Sequence, residues 1–359
     1  MVGCGLVASV MHLPYLEELS DRYEVRALCD ISPRALAHAG ARFPDARCHL
    51  RAEDLLAEEL DAILVLTPGS HAPVAIAAAE TGRHVLVEKP MCINPEEGRA
   101  MIDAAAGSGV VLMVGYMKRY DPAYEQLAAS FDRSGFTYAR ITTLESPFEP
   151  YVAHLPLAAG PPDVDQELLS SLQAEDAARV ELALPVEDDL TRRVYRTILL
   201  DSMIHELNAV RGLLGEPDAL HFARFSPDAR SVTTSFSFGS TECAAIWVDL
   251  PGIARYEQDW SFYGANARAS LRFPSPFLRS EPTTLVLDGG EAGTAHSWET
   301  THTVSYDEAF KRELVEFHDA ITEGRPARTD GEDGLRDVVL CQAIARTHAM
   351  SAQTEGATA

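Results

Sequence analysis

In the first 122 residues short apolar runs alternate with helix-forming stretches, and no other feature of the chain limits its fold as tightly. The runs 24–29, 62–66, 84–87 and 110–114 have strand length, and the stretches 34–43, 72–81 and 94–106 have helix length. Strands interleaved with helices of this size imply a parallel, doubly wound α/β sheet. Such sheets bind ligands at the carboxyl ends of their strands, so the residues that close each run carry the functional question.

Gly3-Cys4-Gly5-Leu6-Val7-Ala8 is a G-x-G-x-x-A turn ahead of a helical stretch through Leu13, Leu16 and Leu19. Glycines there let the backbone turn sharply and approach a pyrophosphate, which rests on the helix amino end, against the N–H groups around Leu6 and Val7. A small-residue turn in any strand-to-helix connection looks the same, so the motif alone decides little. Asp30 adds to it, lying 25 residues after Gly5 at the close of the run 24–29. A carboxylate there accepts hydrogen bonds from an adenine ribose and repels a 2′-phosphate, which predicts NAD over NADP. Arg34, one turn on, works in the opposite sense and keeps NADP open.

Leu86-Val87-Glu88-Lys89-Pro90 closes another run. Lysine supplies only three of the 30 Lys and Arg residues, so a lysine at this place is notable. An ammonium on a flexible stem can hydrogen-bond a reacting oxygen, whereas a guanidinium stays charged and rigid. Pro90 stops the strand and leaves Lys89 at its carboxyl end. The competing reading is a lysine that merely ends a strand in solvent.

Composition removes several kinds of partner. The chain has 359 residues, 46% hydrophobic and 23% charged, enough for a sizeable core and two domains. Its net charge of −24 argues against nucleic acid or an anionic membrane as partner, since both need a basic surface. No apolar run approaches the length of a membrane span. Cys4, Cys29, Cys48, Cys92, Cys243 and Cys341 are scattered with no C-x-x-C pair, which predicts neither a zinc site nor a disulfide framework and fits a reducing cytoplasm.

The G-x-G-x-x-A turn, Thr67-Pro68 with His71, Glu88-Lys89-Pro90, and Gly115-Tyr116 through Asp121-Pro122 follow one another in an order and spacing that resemble the glucose-fructose oxidoreductase and inositol 2-dehydrogenase family (Gfo/Idh/MocA). The resemblance implies an N-terminal Rossmann domain over 1–122. It also implies an α+β domain over 123–350 with a large, mostly antiparallel sheet, and hydride exchange between a nicotinamide and a sugar, cyclitol or related polyol hydroxyl. By motif match it puts Gly3, Gly5, Asp30, Thr67, Pro68, His71, Glu88 and Lys89 against the cofactor and makes Lys89 catalytic. Tyr116, Lys118 and His154 are the candidates for touching substrate.

In the second half the runs 136–144, 231–238, 242–249, 256–263, 268–273 and 283–287 read as strands of an antiparallel meander. Ser305 and Glu308 form the sequence pattern of a capping box ahead of a helix. Asp201 and His205, at i and i+4, are offset by only about 40° around a helix, so both can face one site. A histidine is a natural acid-base group and a carboxylate can orient it. With the apolar helix and Gly215-Glu216-Pro217 behind it, the pair resembles the family's D-x-x-x-H motif. Residues 146–200 match no family pattern. They include Phe148, Tyr151, His154, a Gly160-Pro161-Pro162 break and an acidic helix to about Arg179, and can shape the pocket, cap it or mediate assembly. Residues 351–359 are expected to form a flexible tail.

The leading functional expectation is an NAD(P)-dependent dehydrogenase or ketoreductase with His205 as base, Lys89 at the oxyanion, Asp201 orienting them, and no metal. An NAD-dependent glycosidase and a non-catalytic nucleotide sensor are the alternatives. Apolar residues on both alternations of 231–238 and 242–249, among them Phe236, Phe238, Ile246 and Trp247, predict a covered outer sheet face and hence a homodimer or homotetramer. Only Met1 and Val2 precede Gly3, short for a central strand. That predicts unpaired backbone on the neighbouring strands and a native start some four to six residues earlier, an order-of-magnitude figure from ordinary strand length.

Overall fold

The computed structural model describes residues 1–158 and 163–358, with side chains through residue 352. The expected break at Gly160-Pro161-Pro162 and most side chains of the expected tail lie outside the described residues. The chain packs as two compact units, one of Met1–Tyr116, His154–Pro185 and Phe310–Val339, the other of Met117–Ala153, Val186–Ala309 and Leu340 onward. The first crossing thus falls after Tyr116, and two later stretches that a single boundary at 122 assigns to the second domain pack with the first.

In the first unit β1 (Ala27–Cys29) pairs in parallel with β2 (Arg47–His49), and β3 (Ala62–Val65), β4 (His84–Glu88) and β5 (Leu112–Gly115) pair in parallel in that order. Val2 joins the two sets by bridging Cys29 and Val65. Its N–H donates to the Leu64 carbonyl and its carbonyl accepts from Leu66, both at 2.8 Å, while the Met1 carbonyl accepts from Cys29 at 2.9 Å. The resulting order is doubly wound with Met1 and Val2 at the centre. The short strand does not leave its neighbours unpaired, because it bonds to both. The buried Met1 ammonium donates to the Ala27 carbonyl at 2.9 Å, and burial lowers its pKa to about 6.

The connecting helices follow from local chemistry. Ser32 caps helix Pro33–Gly40, accepting from the Ala35 N–H, and Asn94 caps Pro95–Ser108, accepting from Glu97 at 2.9 Å. Helix Ala72–Glu80 buries Ala72, Ala75, Ala78 and Ala79. Residues Val85, Leu86 and Val87 of β4 are fully buried, as a central parallel strand with both faces covered requires.

The second unit holds an eight-stranded sheet of β6 (Tyr138–Glu145), β7 (Ala219–Phe225), β8 (Ser231–Phe238), β9 (Thr241–Asp249), β10 (Glu257–Tyr263), β11 (Ala267–Phe273), β12 (Thr284–Gly290) and β13 (Ser297–Thr303). Their order is β13-β12-β11-β10-β6-β9-β8-β7, antiparallel except for β6 with β9. The edge strands β7 and β13 escape the sequence pattern because edges are exposed and need no apolar alternation; β13 is exposed at every position but one. The register Val232↔Trp247 and Phe236↔Cys243 puts Phe236, Phe238 and Trp247 on one buried face. Apolar residues do stand on both alternations, but the aromatic ones share the buried face. The other face of β8 and β9 carries Thr233, Ser235, Ala244, Ile246 and Val248, all half-buried.

One further expectation changes. Ser305 Oγ accepts from Asp307 and Glu308 accepts from the Ser280 N–H, so no reciprocal capping box forms before helix Ala309–Glu323. The last helix begins at Gly331 and runs to Thr358. The helices after Gly5 and before His205 are also not plain α-helices. Ala8–His12 precedes Leu13–Glu18, and Tyr195–Met203 precedes Ile204–Leu214, each first member being a π-helix. Such insertions frequently sit at functional sites.

Candidate active site

The glycine turn is built for close approach of a ligand. Gly3 has φ +95°, and a Cβ there would stand 2.7 Å from the Leu66 carbonyl carbon, so only glycine fits. A Cβ on Gly5 would meet nothing within 4 Å, which leaves open space at the amino end of the helix that starts with Leu6. Asp30 accepts from Cys4 N–H at 2.6 Å and from Ser32 N–H at 2.7 Å, tying the glycine turn to the turn after β1. These residues fit a dinucleotide: a pyrophosphate can reach the helix N–H groups past Gly5, and a half-buried carboxylate stands at the ribose position.

Accessibility divides the set predicted to touch cofactor. Gly5, Leu6, Val7, Asp30, Arg34, Thr67, Pro68 and Lys89 are exposed or half-buried, while Gly3, His71 and Glu88 are buried. His71 bonds the Pro90 carbonyl through Nδ1 at 2.8 Å and the Thr67 carbonyl through Nε2 at 2.7 Å. Burial lowers its pKa, outweighing those two carbonyls. It thus holds the loops after β3 and β4 together from behind.

Glu88 ends β4 and supports the backbone of Lys89, whose N–H donates to Oε2 at 3.3 Å. The π segment carries His12 to it, Nε2 to Oε1 at 2.7 Å. Burial pushes the Glu88 pKa up, but the His12 hydrogen bond and nearby positive charge bring it below the ordinary value. Glu313 on helix Ala309–Glu323 completes a buried trio, with neither carboxyl oxygen hydrogen-bonded. Desolvation, then the Glu88 charge, raises its pKa well above the ordinary value. Ligand atoms of His12, Glu88 and Glu313 lie within 4.8 Å of one another, and one imidazole with two carboxylates has donor types suited to zinc or manganese. The sequence marked Glu88 but gave no sign of His12 or Glu313, whose meeting needs three elements to pack.

In the second unit Asp201 lies in the π segment, exposed, and His205 on the α-helix after it, half-buried. The adjacent residue Ser202 donates to Glu145 at 2.9 Å and accepts from Trp247 Nε1 at 2.9 Å, which fixes this turn to the sheet. Burial raises the Glu145 pKa, and Asp201 adds to the rise. Next to His205, Glu206 enters a buried network. It accepts from Thr143 at 2.8 Å and from Gln258, which in turn accepts from the Lys118 ammonium. The ammonium also faces Phe273 at 4.7 Å and Tyr256 and Trp260 at about 6 Å from their centroids. Desolvation lowers the Lys118 pKa and raises that of Glu206.

The substrate candidates separate accordingly. Lys118 is buried and committed to Gln258 and the aromatic faces, Tyr116 is fully buried, and His154 is exposed in the first unit. The unfamiliar segment also divides: 154–185 packs in the first unit, with Arg179 bonded to Glu97 at 2.7 Å, while 146–153 and 186–200 belong to the second.

Residues 1–116 match the Gfo/Idh/MocA model, described as an oxidoreductase family with an NAD-binding Rossmann fold. Over 98% of its length the chain is 23% identical to an inositol 2-dehydrogenase of Rhizobium meliloti, covering 97% of that protein. A scyllo-inositol 2-dehydrogenase (NAD(+)) of Bacillus subtilis is 39% identical over 74 residues, 20% of this chain and 22% of that one. Among solved structures, UDP-N-acetylglucosamine 3-dehydrogenase from Acidithiobacillus ferrooxidans superposes with a TM-score of 0.72 at 21% identity, covering 97% of this chain and 96% of that one. Levoglucosan dehydrogenase in complex with NADH and levoglucosan gives 0.73 at 18% identity with the same coverage. With the glycine turn, Asp30 and Glu88-Lys89-Pro90 in place on a doubly wound sheet, residues 1–116 belong to the Gfo/Idh/MocA oxidoreductase family with its NAD-binding Rossmann fold.

Proposed function

We propose that this protein transfers hydride between NAD and a hydroxyl or ketone of a sugar, cyclitol or related polyol. The observation that carries the reading is the arrangement at the carboxyl edge of the parallel sheet. An open glycine turn lies there with Lys89, which directly follows a Glu88 held by His12. Relatives named for inositol and levoglucosan support the substrate class. NAD, when bound, supplies the hydride acceptor. In the first unit Lys89 has the role of hydrogen-bond donor to a reacting oxygen as charge builds, and in the second His205 has that of acid-base group, with Asp201 stabilising its protonated form. Asp30 makes NAD the better cofactor.

The same proposal extends to assembly and place. The outer strip of β8 and β9, with Ile246 and Val248 and with Glu242 as its charged residue, suits contact with a second copy, giving a homodimer or a homotetramer. The six free cysteines suit a reducing cytoplasm, which cell fractionation checks. No described helix is long and apolar enough to cross a membrane.

A panel of polyols and sugars, read by NADH absorbance with both nicotinamide cofactors, tests the activity. Net NADH formation separates a dehydrogenase from an NAD-dependent glycosidase, which regenerates its cofactor. With a confirmed substrate, Lys89→Met and His205→Ala should each lower kcat about 100-fold or more while NAD still binds. A wild-type rate in His205→Ala would remove the histidine from this role.

A further inference from the structure

Beyond β1 the chain presents three groups with the chemistry to hold a phosphate monoester on an adenine ribose. They are the Ser32 hydroxyl, the Arg34 N–H in the first turn of helix Pro33–Gly40, and the Arg34 guanidinium. All three converge on one carboxylate from a distant part of the chain. Ser32 Oγ donates to Asp163 Oδ1 at 2.6 Å, the Arg34 N–H donates to Asp163 Oδ2 at 2.8 Å, and an Arg34 guanidinium nitrogen lies 3.7 Å from Oδ1. Asp163 belongs to the stretch 154–185 that packs in the first unit, whose other contacts there include Arg179 on Glu97 and Asp176 beside the Gly69 turn. Its carboxyl is held below the usual range, chiefly by the Ser32 hydrogen bond and then by Arg34. Asp30 meanwhile accepts from the Ser32 N–H, so the two carboxylates flank the same turn.

We propose that Asp163 is a second cofactor-specificity residue, a built-in anion seated on the groups that would otherwise receive the 2′-phosphate of NADP. The inference rests on the reading of the first unit as an NAD site. Asp30 stands where the ribose hydroxyl is recognised, and Asp163 uses up the positive and N–H donors that a phosphate needs, besides repelling it. The consequence reverses the simplest expectation for Asp30. Removing Asp30 alone leaves NADP facing an occupied seat, so Asp30→Ser does not invert the preference. Arg34, which by sequence alone favours NADP, is turned to serve the opposite preference by a residue 129 positions away.

Titration calorimetry with ADP-ribose and 2′-phospho-ADP-ribose reads this without any turnover, on the full chain. Wild type should bind ADP-ribose and discriminate against the phosphorylated ligand, and Asp163→Glu, which keeps the charge, should behave alike. Asp163→Asn should tighten 2′-phospho-ADP-ribose about tenfold or more while changing ADP-ribose by less than about threefold. Asp30→Ser with Asp163→Asn should gain further, and adding Arg34→Ala to Asp163→Asn should abolish the gain, because the freed guanidinium supplies it. Thermal midpoints near wild type establish that each variant is folded. If wild type binds neither ligand, both the NAD reading and this inference fall. If it binds ADP-ribose selectively and Asp163→Asn leaves the ratio unchanged, or Asp30→Ser alone inverts it, only this inference falls.

Discussion

At the scale of single residues, the buried trio behind Lys89 sets the pH behaviour of the first unit. Glu313 has a folded pKa well above its ordinary value of 4.5, so its contribution to stability is fully present below that value and is lost as pH rises through the folded pKa. Glu88 is shifted the other way; its contribution is present above the ordinary value and is lost as pH falls. Glu313→Gln keeps the shape and removes the titration. The variant should therefore hold its melting temperature as pH rises above the ordinary carboxyl value, where wild type declines, by at least about 2–4 °C, the shift that ~1 kcal/mol gives in a domain of 150–250 residues. Melting curves from pH 5 to 9 check this. Parallel declines would mean that Glu313 does not titrate in the folded state, and a rise in the midpoint of chelator-treated wild type on adding zinc or manganese would assign a cation to the trio.

At the scale of elements, the glycine turn separates a folding role from a binding role within three residues. Gly3 has both a left-handed backbone and the Leu66 carbonyl against it, whereas Gly5 has neither a positive φ nor a neighbour within 4 Å. Gly3→Ala should cost about 1–3 kcal/mol, the scale of a strained backbone position, and weaken NAD through displacement of the turn. Gly5→Ala should leave stability within about 0.5 kcal/mol, as surface substitutions do, and yet weaken NAD because its methyl group occupies the space that a pyrophosphate needs. Urea melts and NAD titrations on the two variants check the split. Equal losses of stability would show that Gly5 is needed for the fold as well.

At the scale of the molecule, β8 and β9 bury their aromatic residues on one face and present a mostly uncharged strip on the other. Phe236, Phe238 and Trp247 meet the interior, and Thr233, Ser235, Glu242, Ala244, Ile246 and Val248 face outward. With a net charge of −24, two copies would repel one another at long range, so a strip whose charged residue is Glu242 alone is a part of the surface on which association costs little. Light scattering across a concentration series should give a dimer or a tetramer that strengthens with salt, as screening removes the repulsion. Replacing Ile246 with Glu should shift it toward monomer. A monomer at every concentration and salt would mean that the strip serves no self-association.

The chain's order of strands and helices, its glycine turn, Asp30, Glu88-Lys89-Pro90 and the central strands of the second sheet were legible in the sequence. Each depends on local periodicity or on backbone chemistry within a few residues. The edge strands β7 and β13 were not, since β13 is exposed on both faces and β7 buries only Ala223 and Phe225, too short an alternation to read. Nor were the π segments at His12 and Asp201, where an apolar helical pattern is compatible with either winding. Tertiary structure alone decided which polar groups meet. It brought His12 and Glu313 to Glu88, turned Lys118 inward to Gln258 and Glu206, and set Asp163 on Ser32 and Arg34. The physical reason is the same in each case: a buried or bound charge is made tolerable by partners that are distant in sequence, and no property of the local chain encodes which partner arrives.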